Sequence, residues 1–433
     1  MSSSSTHKDE RSAGPAIHDI GTLQPPEWQA TTLPNGTRMV EVSMGTQELV
    51  SLEIIHFASR GQEDIAGASR ATARLLREGT KQLSSQSIAQ QVDYYGASMS
   101  TGANLDFSFI KLFTLRKYFD DLLPIIKQVR YEPTFPQAEL DRYVKNNIQK
   151  LAMDESKVEL RAYKAVTEAI FGESHPYGYN TTQAMYEALT RKDLVQHHQR
   201  YYGSDNCLIV LSGMVDSDLR EAVIEAFGTV QQHVPSKPYP QPQPIPTPAT
   251  ISLPASDKSQ TGIKIGLKLW DRSHPDFASI FVLNTVLGGY FGSRLMSTIR
   301  EEKGYTYSIY SGLDMLRQDG YFFVSTEVAN EYVEDTIATI YQEIEKLKNE
   351  LIPDEELQMI KNYLRGNFLN MVDGPFKVAG LVKLMEINEL PATFFTGLSQ
   401  YVNDIEASEV RRIAQQYLHR SQMVEVIVGG QVS

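Results

Sequence analysis

Arg300 and Tyr307, seven residues apart, are the two side chains whose types and spacing best suit chemistry in this sequence. The segment 299–310 predicts a helix that ends at Gly304 and an aromatic strand that begins after it. Arg300 near the helix end and Tyr307 early in the strand could then converge on one point. A forked guanidinium and a neutral hydroxyl donor there could hold a peptide carbonyl and stabilise an oxyanion formed on it. The alternative is an arginine ion-paired with one of the two glutamates that follow it, and a tyrosine packed on a sheet.

Metal chemistry has no candidate ligand set in this chain. None of the nine histidines falls at the i, i+4 spacing that places two imidazoles on one helix face around zinc. His197 and His198 are adjacent and point to different sides of their predicted helix. The one cysteine, Cys207, lies in an apolar strand, which predicts a buried inert thiol and excludes a thiolate zinc site. We therefore expect this chain to bind no metal ion or other cofactor.

The composition and net charge of the chain restrict the kinds of partner that it can bind. The chain has 433 residues, 41 % of them apolar, and a formal net charge of −12. That charge argues against nucleic acid and against an anionic membrane surface, because both require a basic face. The first fifteen residues are Ser-rich and have no apolar core of a signal peptide, and no stretch reaches the roughly 18 apolar residues of a membrane span. We expect a soluble, cytoplasmic protein.

The elements around these residues occur twice. Residues 194–213 predict an amphipathic helix, a polar break and an apolar strand closed by glycine, and residues 410–429 predict the same series. Tyr201 and Tyr417, at equivalent points of the two helices, are 216 positions apart, and the closing glycines have the same offset. A constant offset from helix through closing glycine indicates a duplication.

Other predicted elements follow the same order in both halves. These are strands at 50–58 and 262–269, hairpins at 97–114 and 305–327, and helices at 118–129, 331–347, 137–153 and 353–371. The hairpins are expected to turn at Gly102-Ala103-Asn104 and at Gln318-Asp319-Gly320. The predicted fold class is α+β: two homologous domains, each a mixed, mainly antiparallel sheet with helices layered on one face.

Alternating prolines mark the predicted boundary. They hold residues 233–248 as an extended linker. A disordered tail is predicted for residues 1–22, an N-terminal domain for 23–232 and a C-terminal domain for 249–433.

With these motifs assembled, the sequence resembles the pitrilysin/insulysin family of zinc peptidases, which includes the mitochondrial processing peptidases. The resemblance rests first on a motif in the second half, Ser-Arg-Leu at 293–295 followed by Arg-Glu-Glu-Lys-Gly-Tyr-Thr-Tyr at 300–307. Family members carry an Arg and a Tyr at this spacing that bind substrate and assist catalysis, so the resemblance assigns those roles to Arg300 and Tyr307. Residues 171–178, Phe-Gly-Glu-Ser-His-Pro-Tyr-Gly, resemble the family's Tyr-Gly-x-x-His-Pro-Tyr-Gly segment. The duplicated domain is the family's repeating unit.

The sequence departs from the family at the metal site. Active members carry His-x-x-Glu-His on the first helix, with two zinc ligands and a general base. Aligned through the following Gly-Thr, the two histidines become Arg70 and Arg74, and the glutamate becomes Ala73. The family's third ligand, a glutamate some 75 residues on, should fall near residues 148–150, Ile-Gln-Lys, which offer no carboxylate. The resemblance thus implies an N-terminal peptidase-like domain with a degenerate metal site, in which two cations repel zinc.

In the family's two-chain bacterial enzymes, one subunit carries the zinc motif and its partner carries the Arg/Tyr pair. The resemblance therefore implies the non-zinc, substrate-binding subunit of a heterodimeric zinc metallopeptidase, inactive alone, with zinc in the homologous partner and a peptide as substrate. Two alternatives stay open. One is a catalytically silent structural subunit, such as the family's core proteins in a respiratory complex, and the other is a homodimeric peptide-binding module.

Overall fold

The computed structural model describes residues 20–234, 237, 239–255 and 260–429. Of the predicted disordered tail, residues 1–19 lie outside the described residues. The first half of the chain contains β1 (Gln29–Thr32), β2 (Arg38–Ser43), β3 (Leu49–His56), α1 (Ala68–Leu75), α2 (Ser85–Tyr94), β4 (Ser98–Ala103), β5 (Ser108–Leu115), α3 (Phe119–Tyr131), α4 (Gln137–Asp154), α5 (Val158–Phe171), α6 (Gln183–Ala188), α7 (Arg191–Tyr201), β6 (Cys207–Gly213) and α8 (Ser217–Phe227).

The second half repeats the order of these elements from β2 to β6 after the proline-rich linker. It contains β7 (Ala249–Pro254), β8 (Gln260–Leu269), α9 (Phe277–Leu287), a π-helix (Met296–Glu302), β9 (Ile309–Met315), β10 (Gly320–Ala329), α10 (Val333–Asn349), α11 (Asp354–Met371), α12 (Pro375–Ile387), α13 (Phe394–Asp404), α14 (Ala407–Tyr417) and β11 (Val424–Gly429). In the described part of the chain, no helix is both long enough and apolar enough to cross a bilayer.

Five strands have the same order in the two sheets, and the first sheet has β1 as an additional edge strand. The first sheet runs β1-β2-β6-β3-β5-β4 and the second runs β7-β11-β8-β10-β9. In each sheet the closing strand pairs in parallel with one neighbour, β2 or β7, and antiparallel with the other, β3 or β8. The remaining pairs are antiparallel. The predicted fold class, two like domains with mixed and mainly antiparallel sheets, is confirmed.

The duplication has a clear physical basis at the closing glycines. Helices α7 and α14 have the same length and begin and end 216 positions apart. Gly213 and Gly429 both have positive φ angles, +105° and +151°. A Cβ at Gly213 would collide with the carbonyl oxygen of Leu49, and one at Gly429 with the side chain of Thr261. Each closing strand therefore ends where the backbone passes too close to the neighbouring strand for any side chain.

The predicted hairpins are present, but the first one turns later than expected. Gly102 and Ala103 belong to β4, and the turn spans residues 104–107. The side-chain oxygen of Asn104 accepts hydrogen bonds from the backbone N–H groups of Asp106 and Phe107, at 2.9 and 2.8 Å. This Asx-type turn, rather than the glycine, sets the hairpin end.

A feature that the sequence did not reveal is an exchange of helices between the halves. Helix α5 precedes the linker but packs on β8, β10 and β11 of the second sheet. Helix α12 of the second half packs on β2 and β6 of the first sheet, where Val382 and Met385 share a core with Val40 and Val42. Each sheet is thus covered on one face by its own helices and on the other by a helix from the other half.

Ion pairs and the linker fix this exchange. Lys383 of α12 donates to Glu53 of β3 with an N···O distance of 2.9 Å, and Arg38 of β2 pairs with Glu386 at 3.1 Å. On the other side, the described part of the linker lies against α5, because the N–H groups of residues 243 and 245 donate to carbonyls at its C-terminal end. The boundary in sequence is therefore not a boundary in packing, and the limits of the two domains stay a prediction.

Candidate functional site

Arg300 lies on the π-helix that follows a glycine-rich turn after α9. That turn spans residues 288–292. The N–H of Lys303 donates to the carbonyl of Thr298 at 3.1 Å, the i−5 bond of a π-helix. The chain then leaves the helix through Gly304, whose φ is +69°, where the sequence predicts the helix end. Arg294, six residues before Arg300, is held by both oxygens of Glu356 at 2.9 and 2.8 Å, which anchors this helix to α11.

The structure brings Arg300 to Tyr307 through the backbone of the tyrosine rather than through its hydroxyl. Arg300 Nε donates to the Tyr307 carbonyl oxygen at 3.1 Å. The guanidinium carbon lies 4.7 Å from the ring centre of Phe291, a cation–π contact. Its Nη1 is 3.6 Å from Glu301 Oε1 in a solvent-exposed ion pair that contributes little energy. One nitrogen of the guanidinium therefore fixes the loop, and another forms the ion pair with the following glutamate that the alternative expected.

Tyr307 is 95 % exposed, the most exposed aromatic side chain among the described residues. It lies two residues before β9 rather than in that strand as predicted. The hydroxyl of Thr306 donates to the carbonyls of Ser308 and Glu327, at 3.0 and 2.7 Å, and keeps this segment irregular. The alternative of a tyrosine packed on a sheet is wrong. The Tyr307 side chain is instead open to solvent, and the 63 % exposed Phe291 is the aromatic ring that contacts the Arg300 guanidinium.

The degenerate metal-site residues lie on α1. This eight-residue helix begins after Gly67, and its buried face includes Ala73, which is fully inaccessible. Arg70 and Arg74, one turn apart, are its two exposed residues. Ala73 therefore places a methyl group inside the core at the position of the family's general base. Arg70 and Arg74 place exposed guanidinium groups at the positions of the family's two histidine ligands.

These arginines line one wall of a cleft of about 520 Å³, which we call the basic cleft. Its other walls are β4, β5 and α4, and the lining residues are Arg70, Arg74, Thr101, Gly102, Ala103, Phe109, Tyr143, Asn146, Asn147 and Lys150. Of the predicted third-ligand segment 148–150, only Lys150 faces this cleft, since Ile148 and Gln149 line a different depression. Tyr143 was missed from the sequence, although the spacing of 143, 147 and 150 marks one helix face.

The basic cleft does not fit a zinc ion. Guanidinium and ammonium groups carry positive charge and no free lone pair, so they repel a cation instead of ligating it. In the described ranges, no group of three or more His, Cys, Asp or Glu side chains is arranged to hold a metal.

The predicted burial of Cys207 is confirmed, and the two adjacent histidines of α7 are also withdrawn from solvent. His197 is buried and His198 is partly buried, and the loss of solvation lowers the pKa of each to about 4. The ring of His197 hydrogen-bonds the carbonyl of Ala58 at 3.2 Å, and that of His198 the carbonyl of Arg130 at 2.8 Å. Cys207 is buried, and burial raises the pKa of its thiol. His175, in the segment that resembles the family, is buried as well, so this motif serves packing.

Comparison with known proteins agrees with this geometry. Residues 54–182 match the family described as Insulinase (Peptidase family M16), and residues 188–364 match the Peptidase M16 inactive domain. An uncharacterized zinc protease of Mycobacterium leprae is 24 % identical over 399 residues, covering 90 % of this chain and 89 % of that protein. A protein of Helicobacter pylori named as a non-peptidase homologue is 23 % identical over 341 residues, covering 76 % of this chain and 77 % of its own.

Solved structures share the fold. An M16 inactive domain protein from Pseudomonas fluorescens superposes with a TM-score of 0.86 at 24 % identity, covering 94 % of this chain and 99 % of that one. A Helicobacter pylori protease gives a TM-score of 0.85 at 20 % identity, covering 94 % of this chain and 100 % of its own. Together with the family matches across both halves, these findings show that the chain belongs to peptidase family M16.

Proposed function

We propose that this protein is the non-zinc, substrate-binding subunit of a cytoplasmic heterodimeric zinc metallopeptidase. A homologous partner chain carries the zinc, the attacking water and the general base. Arg300 and Tyr307 of this chain reach into the partner's active site and bind the peptide there. The chain alone cleaves nothing.

The observation that carries this proposal is the state of the Arg300–Tyr307 pair. A tyrosine that is 95 % exposed contributes little to its own fold, yet the loop holding it is fixed by Arg300 and Thr306. A fixed loop presenting a free hydroxyl is the arrangement that a preorganised donor requires. Arg300 uses Nε to hold that loop and has only a solvent-exposed ion pair with Glu301 at Nη1, so its terminal N–H groups can donate to a substrate carbonyl.

The chemistry then divides between the two chains. When a peptide carbonyl is attacked in the partner's site, negative charge develops on its oxygen. The Tyr307 hydroxyl and the Arg300 guanidinium donate hydrogen bonds to that oxygen, and they gain strength as the charge grows. Phe291, beneath the guanidinium, limits its movement and excludes water from one side of it.

The test is peptidase activity of the assembled complex with a similar-length chain that carries His-x-x-Glu-His. Tyr307→Phe removes one hydroxyl and should lower kcat by about 10²–10³, the cost of one oxyanion donor, with assembly and zinc content unchanged. Arg300→Lys should also lower kcat, because a point charge cannot both hold the loop and donate to the substrate. Tyr94→Phe and Arg142→Lys, at exposed positions on α2 and α4, are the matched controls and should leave activity unchanged.

Each alternative makes a different prediction. A structural subunit would lose stability or association in these variants but keep full activity per assembled complex. A homodimeric peptide-binding module would bind peptide without any partner chain. Full activity in both Tyr307→Phe and Arg300→Lys would rule out the proposed assistance.

A further inference from the structure

The basic cleft gathers positive charge from two separate elements. Arg70 and Arg74 extend from α1, and Lys150 extends from α4 across the cleft. On α1, the carbonyl of Arg74 accepts a hydrogen bond from the Thr101 hydroxyl of β4 at 3.4 Å, and on α4 the side chain of Asn147 donates to the Tyr143 carbonyl at 2.8 Å. The three cations therefore extend from helices rather than from a loop.

No carboxylate neutralises these cations. Among the described residues, none lies within ion-pair distance of Arg70, Arg74 or Lys150. The nearby Glu63 accepts hydrogen bonds from the backbone and side chain of Ser69, at 3.0 and 2.7 Å, and from Tyr179. Asp154, at the end of α4, pairs with Lys157 at 3.5 Å. The acidic groups around the cleft are therefore committed elsewhere.

The arrangement does not serve folding. Two arginines at i and i+4 repel each other and slightly destabilise the helix that carries them. The chain has a net charge of −12, so acidic side chains outnumber the basic ones that they could pair with, yet these three cations have no acidic partner in the described part of the chain. A cluster that costs stability and is left unpaired suits a ligand of opposite charge.

A second observation points to the same kind of ligand. Tyr143 lines the cleft with only 9 % of its surface exposed, and its hydroxyl has no hydrogen-bond partner among the described residues. An unpaired buried hydroxyl costs free energy until it finds an acceptor. Burial raises the pKa of Tyr143, so the hydroxyl keeps its proton and remains a donor. Arg70 and Arg74 have long, exposed side chains that can move aside to admit an acceptor.

We propose that the basic cleft is an oxyanion-binding site that takes a carboxylate or phosphate group of a ligand. Arg70 and Arg74 supply forked donors on one wall and Lys150 supplies a point charge on the other. Asn146 and Asn147 add neutral amide donors around the rim, and Tyr143 completes the set from the buried side. The site lies where the family's active members hold zinc, so loss of the metal ligands has replaced a cation site with an anion site. This proposal does not depend on the role of Arg300 and Tyr307.

The experiment is titration calorimetry on the full chain at low ionic strength. The probes are inorganic phosphate, tricarballylate, and one hexapeptide prepared with a free C-terminal carboxylate and with a C-terminal amide. At least one anion should bind at a single site with Kd of about 1 mM or tighter, and raising NaCl should weaken it. A preference for the free-acid peptide over its amide assigns the site to peptide carboxylates, and binding of phosphate alone assigns it to phosphorylated ligands.

Variants decide whether the cleft is the site. Arg74→Gln and Lys150→Gln should each weaken binding about tenfold or more, since each removes a charged donor. Tyr143→Phe should weaken it several-fold with no change in charge. Arg142→Gln, also on α4 but paired with Glu139 at 3.0 Å, is the matched control and should bind as the wild type does. The proposal is overturned if no probe binds, or if binding is equal in Arg74→Gln, Lys150→Gln and Arg142→Gln.

Discussion

Lys383 of α12 should hold the exchanged helix on the first sheet. Its ammonium lies 2.9 Å from Glu53, whose side chain is 10 % exposed, while Lys383 itself is 25 % exposed. Lys383→Met keeps the aliphatic part of the side chain and removes its charge. The carboxylate of Glu53 then has Lys111 as its remaining ion-pair partner, with an N···O distance of 3.8 Å. Breaking a fully buried pair costs about 3–5 kcal/mol. Partial exposure of Lys383 and the remaining lysine reduce this, so we expect a loss of about 2 kcal/mol.

The assay is urea unfolding of the full chain, followed by circular dichroism and by tryptophan fluorescence. With m at or above about 3 kcal/mol/M for a chain of this size, the midpoint should fall by about half a molar. Lys377→Met, on the same helix, is the matched control. Lys377 and its partner Asp373 have side chains 47 % and 78 % exposed, so its loss should cost less than about 0.5 kcal/mol. Equal midpoints for the two variants would refute the claim that this contact fastens α12.

Two further predictions concern the lost metal site and the buried histidines. Restoring the family motif with Arg70→His, Ala73→Glu and Arg74→His should not give stoichiometric zinc, because the ammonium of Lys150 lies on the side of the cleft where the third ligand is needed. Adding Lys150→Glu to these three changes should give stoichiometric zinc. Elemental analysis of the two variants distinguishes these outcomes. His197 is neutral in the fold, with a pKa near 4 against 6.5 when unfolded, so its contribution is fully present above pH 6.5 and is lost as pH falls towards 4. Between pH 7 and pH 5 the loss should be about 2 kcal/mol for this histidine, and His197→Gln should flatten the curve of unfolding free energy against pH. An unchanged curve would contradict the burial argument.

The sequence reveals those parts of the molecule that depend on local pattern. The helix–strand unit repeated at an offset of 216 and the helix end at Gly304 follow from periodicity and glycine position. The approach of Arg300 to Tyr307 was expected between side chains, but it runs through a carbonyl, because loop geometry at single-residue scale has no sequence signature. The packing of α5 and α12 on the sheet of the other half could not be predicted from the sequence either. The apolar residues of α12 predict burial, but they do not say which sheet buries them.

Lys150 and Tyr143 show a similar limit. The spacing of the family's third ligand pointed to residues 148–150, yet only the rotation of α4 decides that Lys150, and not Gln149, faces Arg70. The helical spacing of Tyr143 and Lys150 was visible in the sequence. What was missing was the knowledge that α4 faces α1, which is a tertiary fact.

The exchanged helices also determine when the chain can finish folding during its synthesis. The first sheet is complete once β6 has left the ribosome, but one of its faces stays bare until α12 follows, more than 170 residues later. At about 5–20 residues per second, this interval lasts about 10–35 s. Throughout it, the apolar side chains of β2 and β6 are open to other chains, and α5 has no sheet to cover. The nascent first half is therefore a natural client for chaperones, and a release of the chain before α12 should yield an aggregating fragment rather than a small stable domain.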